Sequence, residues 1–257
     1  MDNIPQFSVI TIVRNDAVGL AATAESVRKQ TLDSTEWVVI DGDSTDETKR
    51  LALSYHDERT QVLSEPDKGI YDAMNKGLAL AKGEYVILMN AGDLLMSEDV
   101  LQRLSEQLDR EEHDVLYCGS IMDFGVARIV RRPKHLMYIL HGQPGLHQAT
   151  VFRRSVHIAD LYDDSYKICG DYDVITRMWA KGLRFGRSDL LLSVNEFDSA
   201  SASSRSKMLL LKEAYKIQRR NLKLNPVLMG LSLAYRSLSS ILSKILTTLR
   251  SLREGKS

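Results

Sequence analysis

Three polar clusters in the first half of the chain carry the side chains with most capacity for chemistry. Asn15 and Asp16 follow the run FSVITIV. Asp41, Asp43 and Asp46 crowd the turn DGDSTDET, and Asn90 to Asp93 read NAGD after EYVILM. A carboxylate on the last residue of a strand, as at Asp41, sits over the ligand edge of a sheet and can accept from base or ribose donors. A carboxylate just past a central strand, as at Asp93, can hold a divalent cation, and the cation can neutralise a diphosphate. Helix capping is the competing use of such residues. Capping accounts for Ser44 and Asp46 but leaves Asp41 without a task.

These clusters acquire meaning from the elements that must carry them. Phe7–Val13 and Glu36–Ile40 predict strands, Gln61–Leu63 a short one, and Glu84–Met89 a buried one. Helical stretches alternate with them: about Ala17 to Gln30, one opened by a capping box of Ser44 and Glu47, Gly69–Ala81, and one from an N-cap at Ser97 to about Leu108. Strands separated by helices of this length give a parallel sheet with right-handed crossovers, so the clusters lie at the carboxyl ends where ligands bind.

The second half is less regular. Asp114–Cys118, Ala127–Arg131, Ala149–Phe152 and Leu190–Val194 predict strands, and Asp171–Lys181 a helix. A small-residue loop spans Ser199–Ser204, and two helices separated by Pro226 follow it. In the second of these, Leu228, Leu231, Tyr235, Leu238, Leu242, Ile245, Leu249 and Leu252 recur at steps of three and four.

The 34 Lys+Arg and 34 Asp+Glu balance, but unevenly along the chain: residues 205–257 hold 12 basic and two acidic residues (+10), residues 1–204 the remaining 22 and 32 (−10). A basic tail on an acidic body suits an anionic partner such as a membrane surface, or docking on its own body. Cys118 and Cys169 form no spaced motif, which excludes a disulfide framework and makes a reducing compartment the default. The start MDNIPQFSV is not read as a signal peptide, and Val227 to Leu249 is interrupted by Arg236 and Lys244, so no bilayer span is expected. A cytoplasmic protein follows as the expectation.

The blocks SVITIVRND, VVIDGDSTDET, SEPDKGIYDAMNKGLALAKGEYVILMNAGD, HQATVFRR and GDYDVITRMWAKG resemble family 2 glycosyltransferases, in family order from Phe7 to about Ser204. More narrowly they are similar to the bacterial surface-polysaccharide branch that includes the colanic acid glycosyltransferases. The resemblance implies the GT-A fold, an α/β architecture with a Rossmann-like, mostly parallel central sheet. It divides the chain into a transferase domain, 1–204, and basic amphipathic helices, 205–257. It implies transfer of a sugar, with inversion, from a nucleotide-diphosphate donor: a UDP-sugar, with GDP-sugars the alternative.

Family roles carry over only where residues match. Thr11 and Asn15 fall in the first nucleotide-binding turn, Asp41 matches the first Asp of DDGSTD, and Asp67, Lys68 and Asn75 lie beside the nucleotide. Met74 stands where the family has Arg. The family's DxD metal motif, typically DADD, reads NAGD: Asn90 and Gly92 replace two carboxylates and Asp93 remains as ligand for Mg2+ or Mn2+. The departures leave metal dependence open. His147 is either a further metal or diphosphate contact or a structural residue; His141 and Gln143 lie nearby without a fixed role.

Asp171 matches the second residue of the family's ED motif, the general base; its structural alternative is a helix N-cap. Lys68, or Arg205 on the small-residue loop, would add positive charge at the diphosphate. The expected acceptor is a lipid-diphosphate-linked saccharide, which gives the basic tail a reason to lie on a membrane as a peripheral element on the inner face. A coiled-coil homodimer and packing on the body are the alternatives for the tail. No nucleic-acid partner is expected. A sugar-1-phosphate nucleotidyltransferase would need a Gly-rich phosphate loop, which VRNDAVGL is not. A catalytically degenerate scaffold that binds nucleotide sugars is the non-enzyme alternative.

Overall fold

The computed structural model describes residues 4–197, 206–232 and 234. β1 (Phe7–Val13), α1 (Ala17–Arg28), β2 (Thr35–Asp41), α2 (Glu47–Ser54), β3 (Thr60–Ser64), α3 (Ile70–Leu80) and β4 (Tyr85–Asn90) build a parallel block in the order β3-β2-β1-β4. Every residue of β1 is buried, as a strand covered on both faces requires. Its alternate residues serve two cores. Ile10 and Ile12 pack with Val38, Ile40, Leu78 and Leu88 on one face, while Phe7, Val9 and Val13 pack with Leu20, Trp37, Val39 and Ile87 on the other. α3 lies close on β1 through Gly77, where a Cβ would come within 2.3 Å of Ile10 Cγ2.

The second half turns the sheet into a mixed one. β5 (Leu94–Leu95), α4 (Val100–Arg110), β6 (Val115–Asp123), β7 (Arg128–Arg131), β8 (Thr150–Arg153), α5 (Arg154–Ala159), α6 (Gly170–Ala180), β9 (Phe185–Glu196) and α7 (Lys207–Arg220) follow in order. β8 inserts between β4 and β6, antiparallel to both; β9 runs parallel to β6, and β5 pairs antiparallel with β9.

Three local expectations change. The N-cap of α2 is Asp46, which accepts from Thr48 N at 2.9 Å, because Ser44 is drawn into contacts with Asp41 and Asn15. Ser97 does not cap α4; its hydroxyl donates to Asp99 at 2.5 Å. β9 is 12 residues long rather than the expected Leu190–Val194, since β5 and β6 complete its hydrogen bonding where its own pattern is polar.

The basic tail begins as part of the body. In α7, Ala214 and Ile217 are fully buried, and Gln218 Nε2 donates to Leu140 O at 2.9 Å. Helical backbone resumes over 226–232, with Met229 and Ser232 buried and Leu228 and Leu231 exposed. The loop Ser199–Ser204, Arg205 and the apolar stripe from Tyr235 to Leu252 lie outside the described residues. Among the described residues, no helix is long and apolar enough to cross a bilayer. Cys118 and Cys169 are buried and are not joined in a disulfide.

Candidate active site

The strand registers put the polar clusters on one edge. Val13 lies opposite Asp41, Asp41 opposite Ser64, and Ile12 opposite Asn90, so four parallel strands end together. Asp41 is fully buried there. Its carboxylate accepts from Ser44 Oγ at 2.5 Å and Ser64 Oγ at 2.6 Å. Ser44 Oγ in turn accepts from Asn15 N at 2.8 Å, and Asn15 Oδ1 accepts from Thr45 N at 2.9 Å. Asn15 holds φ +52, a left-handed conformation that Asn tolerates better than most residues. Asp41, Ser44 and Asn15 thus lock the first two turns together.

The neighbouring expected residues divide. Asp67 accepts from Gly69 N at 2.9 Å and lies against Gly42, where a Cβ would meet its Oδ2 at 2.3 Å. Lys68 is exposed, with its N–H on Asp72 Oδ2 at 3.0 Å. Thr11 is fully buried and accepts from Trp37 Nε1 at 2.9 Å, and Asn75 forms a reciprocal pair with the Tyr162 backbone, both bonds 2.9 Å. The side chains of Thr11 and Asn75 are therefore engaged with the protein itself.

Past β4, the NAGD loop is tied down from three sides. Asp93 is 3% exposed; its Oδ2 accepts from Asn90 N at 2.8 Å and its Oδ1 from Asn195 Nδ2 at 3.0 Å. Thr23 Oγ1 donates to Asp93 O at 2.8 Å and accepts from Gly92 N at 3.0 Å. Burial pushes the Asp93 carboxyl up to about 6. Expected as the remaining metal ligand, Asp93 instead has one oxygen hydrogen-bonded within the loop and the other to Asn195 of β9.

A cleft of about 490 Å³ opens beside this loop, lined in part by Asn90, Gln143, His147, Asp171 and Glu196. Asp171 stands in the first turn of α6, whose N-cap position is Cys169, so it is not the cap. It is half-buried, accepts from Tyr172 N at 2.7 Å and from the Gln143 side chain, and burial raises its carboxyl to about 6. Tyr71, Tyr117 and Tyr162 lie within its field, and their hydroxyls are pushed upward, first by burial and then by its charge.

His147 also lines the cleft, but its Nε2 is 2.5 Å from Tyr162 Oη, which His157 Nε2 approaches at 3.0 Å. Burial lowers the two imidazoles to about 3 and about 4, so both are neutral near pH 7. Neutral imidazoles on one tyrosine hydroxyl form a packed structural triad.

A different depression, of about 550 Å³, lies at the other end of β2. Its two arginines are paired, Arg28 with Asp57 and Arg59 with Asp33, each at 3.0 Å.

The cleft, the parallel block and the carboxylates at its edge fit one family, and the sequence comparison decides it: the model for glycosyl transferase family 2 matches residues 8–166. The chain belongs to glycosyl transferase family 2. A PGL/p-HBAD biosynthesis glycosyltransferase of Mycobacterium bovis is 30% identical over 203 residues, 77% of this chain and 79% of that protein. An uncharacterised glycosyltransferase of Mycobacterium tuberculosis is 33% identical over 188 residues, covering 69% and 70%. These two names do not carry the narrower likeness to colanic acid synthesis.

Solved structures share the transferase's fold. S. aureus TarS in complex with UDP matches with a TM-score of 0.69 at 18% identity, covering 90% of this chain and 70% of TarS. The mannosyltransferase PcManGT from Pyrobaculum calidifontis, in complex with GDP-Man and Mn2+, matches with a TM-score of 0.65 at 17% identity, covering 98% and 81%. The fold is GT-A, as the sequence motifs implied.

Sequence reasoning missed several residues that shape this candidate site: Thr23, Ser64, Asn195, Glu196 and Glu213. The Glu213 carboxylate accepts from the N–H groups of Lys167, Ile168 and Cys169 at 2.8–3.0 Å, fixing the segment that leads into Asp171. Its isolation in a basic tail was the available signal. Thr23 and Asn195 carried none, because their partners are 70 and 102 residues away in sequence.

Proposed function

We propose that the chain transfers a sugar, with inversion, from a nucleoside diphosphate donor to a saccharide carried on a lipid diphosphate, with Asp171 as general base. The observation that carries this reading is the Asp171 carboxyl, half-buried in the cleft at the start of α6 and raised to about 6. A base poised there is ionised at neutral pH yet basic enough to take the acceptor hydroxyl proton as that oxygen attacks the anomeric carbon. Gln143 and Tyr172 N orient the carboxylate.

The locked turns of Asn15, Asp41 and Ser44, with Asp67 and Lys68 beside them, form the nucleotide end. UDP-sugars are the favoured donors, supported by TarS structures with UDP and UDP-GlcNAc; GDP-sugars are the alternative, supported by PcManGT with GDP-Man. A divalent cation, when bound, neutralises the leaving diphosphate. Oxygen donors at the end of β4 suit a hard cation of this kind. Lys68 and Arg205 supply further positive charge. For the tail, exposed Val227, Leu228 and Leu231 beside the basic residues favour a membrane surface.

The test is Asp171→Asn, assayed with a panel of UDP- and GDP-sugars and bacterial lipid-linked acceptors. Transfer should fall by about 10² to 10⁴ while nucleotide binding persists. Unchanged transfer would remove Asp171 as base. Absence of transfer by the unmodified protein, with nucleotide binding intact, would support the scaffold reading that the carboxylate lost at Gly92 favours.

A further inference from the structure

Gly92 removes a carboxylate from the loop after β4, and another part of the chain delivers one to the same place. Gly92 has φ +91, and a Cβ built on it would lie 3.3 Å from Glu196 Oε2, with no other heavy atom of the described residues beyond its immediate neighbours within 4 Å. The Glu196 carboxylate therefore occupies the space into which a side chain at position 92 would project.

The backbone that presents it is held on both sides. Glu196 pairs with Asp123 across β6 and β9, Asn195 Nδ2 donates to Asp93 Oδ1 at 3.0 Å, and Phe197 N donates to Asp123 O at 2.8 Å. The side chain itself is exposed, lines the cleft with Asn90 and Asp171, and has no hydrogen-bond or ion-pair partner among the described residues. Asp93 differs on both counts, being enclosed and doubly hydrogen-bonded.

We propose that Glu196 is the carboxylate that ligates the divalent cation in this transferase, replacing the one absent at position 92, with the Asn90 amide as a neutral oxygen donor. Asp93 positions the loop by clamping Asn90 and Asn195. Mg2+ and Mn2+ are hard cations, and Mg2+ in particular is usually held by one or two carboxylates together with substrate phosphates, not by an all-protein cage. No group of three or more His, Cys, Asp or Glu side chains able to hold a metal exists among the described residues. One exposed carboxylate beside a diphosphate site therefore predicts a cation bound jointly with the nucleotide. The assignment rests on the transferase reading only in placing the diphosphate in this cleft.

The experiment measures Mn2+ binding by electron paramagnetic resonance, alone and with UDP, GDP, CDP or dTDP. It uses the unmodified protein, Glu196→Gln, Glu196→Asp and the distant surface control Glu111→Gln. Nucleotide binding without metal is followed in parallel by calorimetry. Expected is Mn2+ binding strengthened at least about tenfold by one nucleotide, weakened at least about tenfold in Glu196→Gln, less so in Glu196→Asp and unchanged in Glu111→Gln, with metal-free nucleotide binding preserved throughout. Equal Mn2+ affinity in Glu196→Gln and the unmodified protein overturns the assignment, as does a lack of Mn2+ binding with every nucleotide. In either case, preserved nucleotide binding leaves the transferase reading standing. Failure of all four nucleotides to bind overturns both.

Discussion

At Asp171, the burial that would suit the carboxylate to proton transfer works against the fold. Burial raises its carboxyl from 3.8 to about 6, so ionisation is harder in the folded than in the unfolded chain. The folded state then binds the proton more tightly, and the contribution to stability falls as pH rises from about 4 through 6. Ionising so strongly raised a carboxyl costs the folded state roughly 3 kcal/mol. Asp171→Asn should therefore melt higher than the unmodified protein at pH 8, with the gap closing below about pH 4, as calorimetry at both pH values would read. In the active protein, kcat/KM should fall on the acid side with an apparent pKa near 6; a flat profile from pH 5 to 8 would contradict the base assignment. The His147 and His157 imidazoles pull stability the other way, because their lowered values make protonation costly as pH drops below 6.5. Thr23 acts locally. Thr23→Val keeps the shape but leaves Gly92 N and Asp93 O without their partner, at a cost of about 1–3 kcal/mol. Its thermal midpoint should drop by several degrees; no drop would mean that the loop holds itself.

The parallel strands do one job at the level of elements: they end in register, so turns distant in sequence share an edge. The antiparallel additions do another. β8 carries His147 at its entry, and β9 carries Asn195 and Glu196 to the NAGD loop. α6 presents Asp171, and α7 steadies the approach to it through Glu213. Glu213→Ala leaves three N–H groups without their charged acceptor, a loss of about 3–5 kcal/mol. It should lower both the thermal midpoint and kcat, with Glu213→Gln recovering part of each because one acceptor oxygen remains. An Ala variant with unchanged kcat would show that Asp171 is positioned by α6 alone.

For the whole molecule, the −10 body and +10 tail meet in α7, which is basic yet buries Ala214 and Ile217 in the body's core. Truncation after residue 204 should therefore destabilise the transferase broadly, whereas truncation after 225 should cost less, because it removes buried Met229 and Ser232 but keeps Ala214 and Ile217 in the core. Equal stability of both truncations would show that α7 contributes nothing to the core. Surface charge makes a separate prediction. The full chain should sediment with phosphatidylglycerol vesicles and be released by about 0.5 M salt. The 1–225 truncation should bind them weakly; equal binding would move the membrane contact to the body.

Periodicity alone determined the alternating strands and helices of the first half, because β1, β2 and β4 are apolar runs bounded by polar turns. Strand-end position singled out Asp41 and Asp93, and matching motif blocks carried the family, the GT-A fold and the choice of Asp171. What each carboxylate does was decided only by the tertiary structure, since that depends on partners far along the chain. Ser64 and Asn195 enclose Asp41 and Asp93 within hydrogen bonds, Tyr162 engages His147, and Glu213 reaches back to the approach to Asp171. Glu196 comes to Gly92 across more than a hundred residues. A side chain's type is written locally, but its burial and its hydrogen-bond partners belong to the packed sheet.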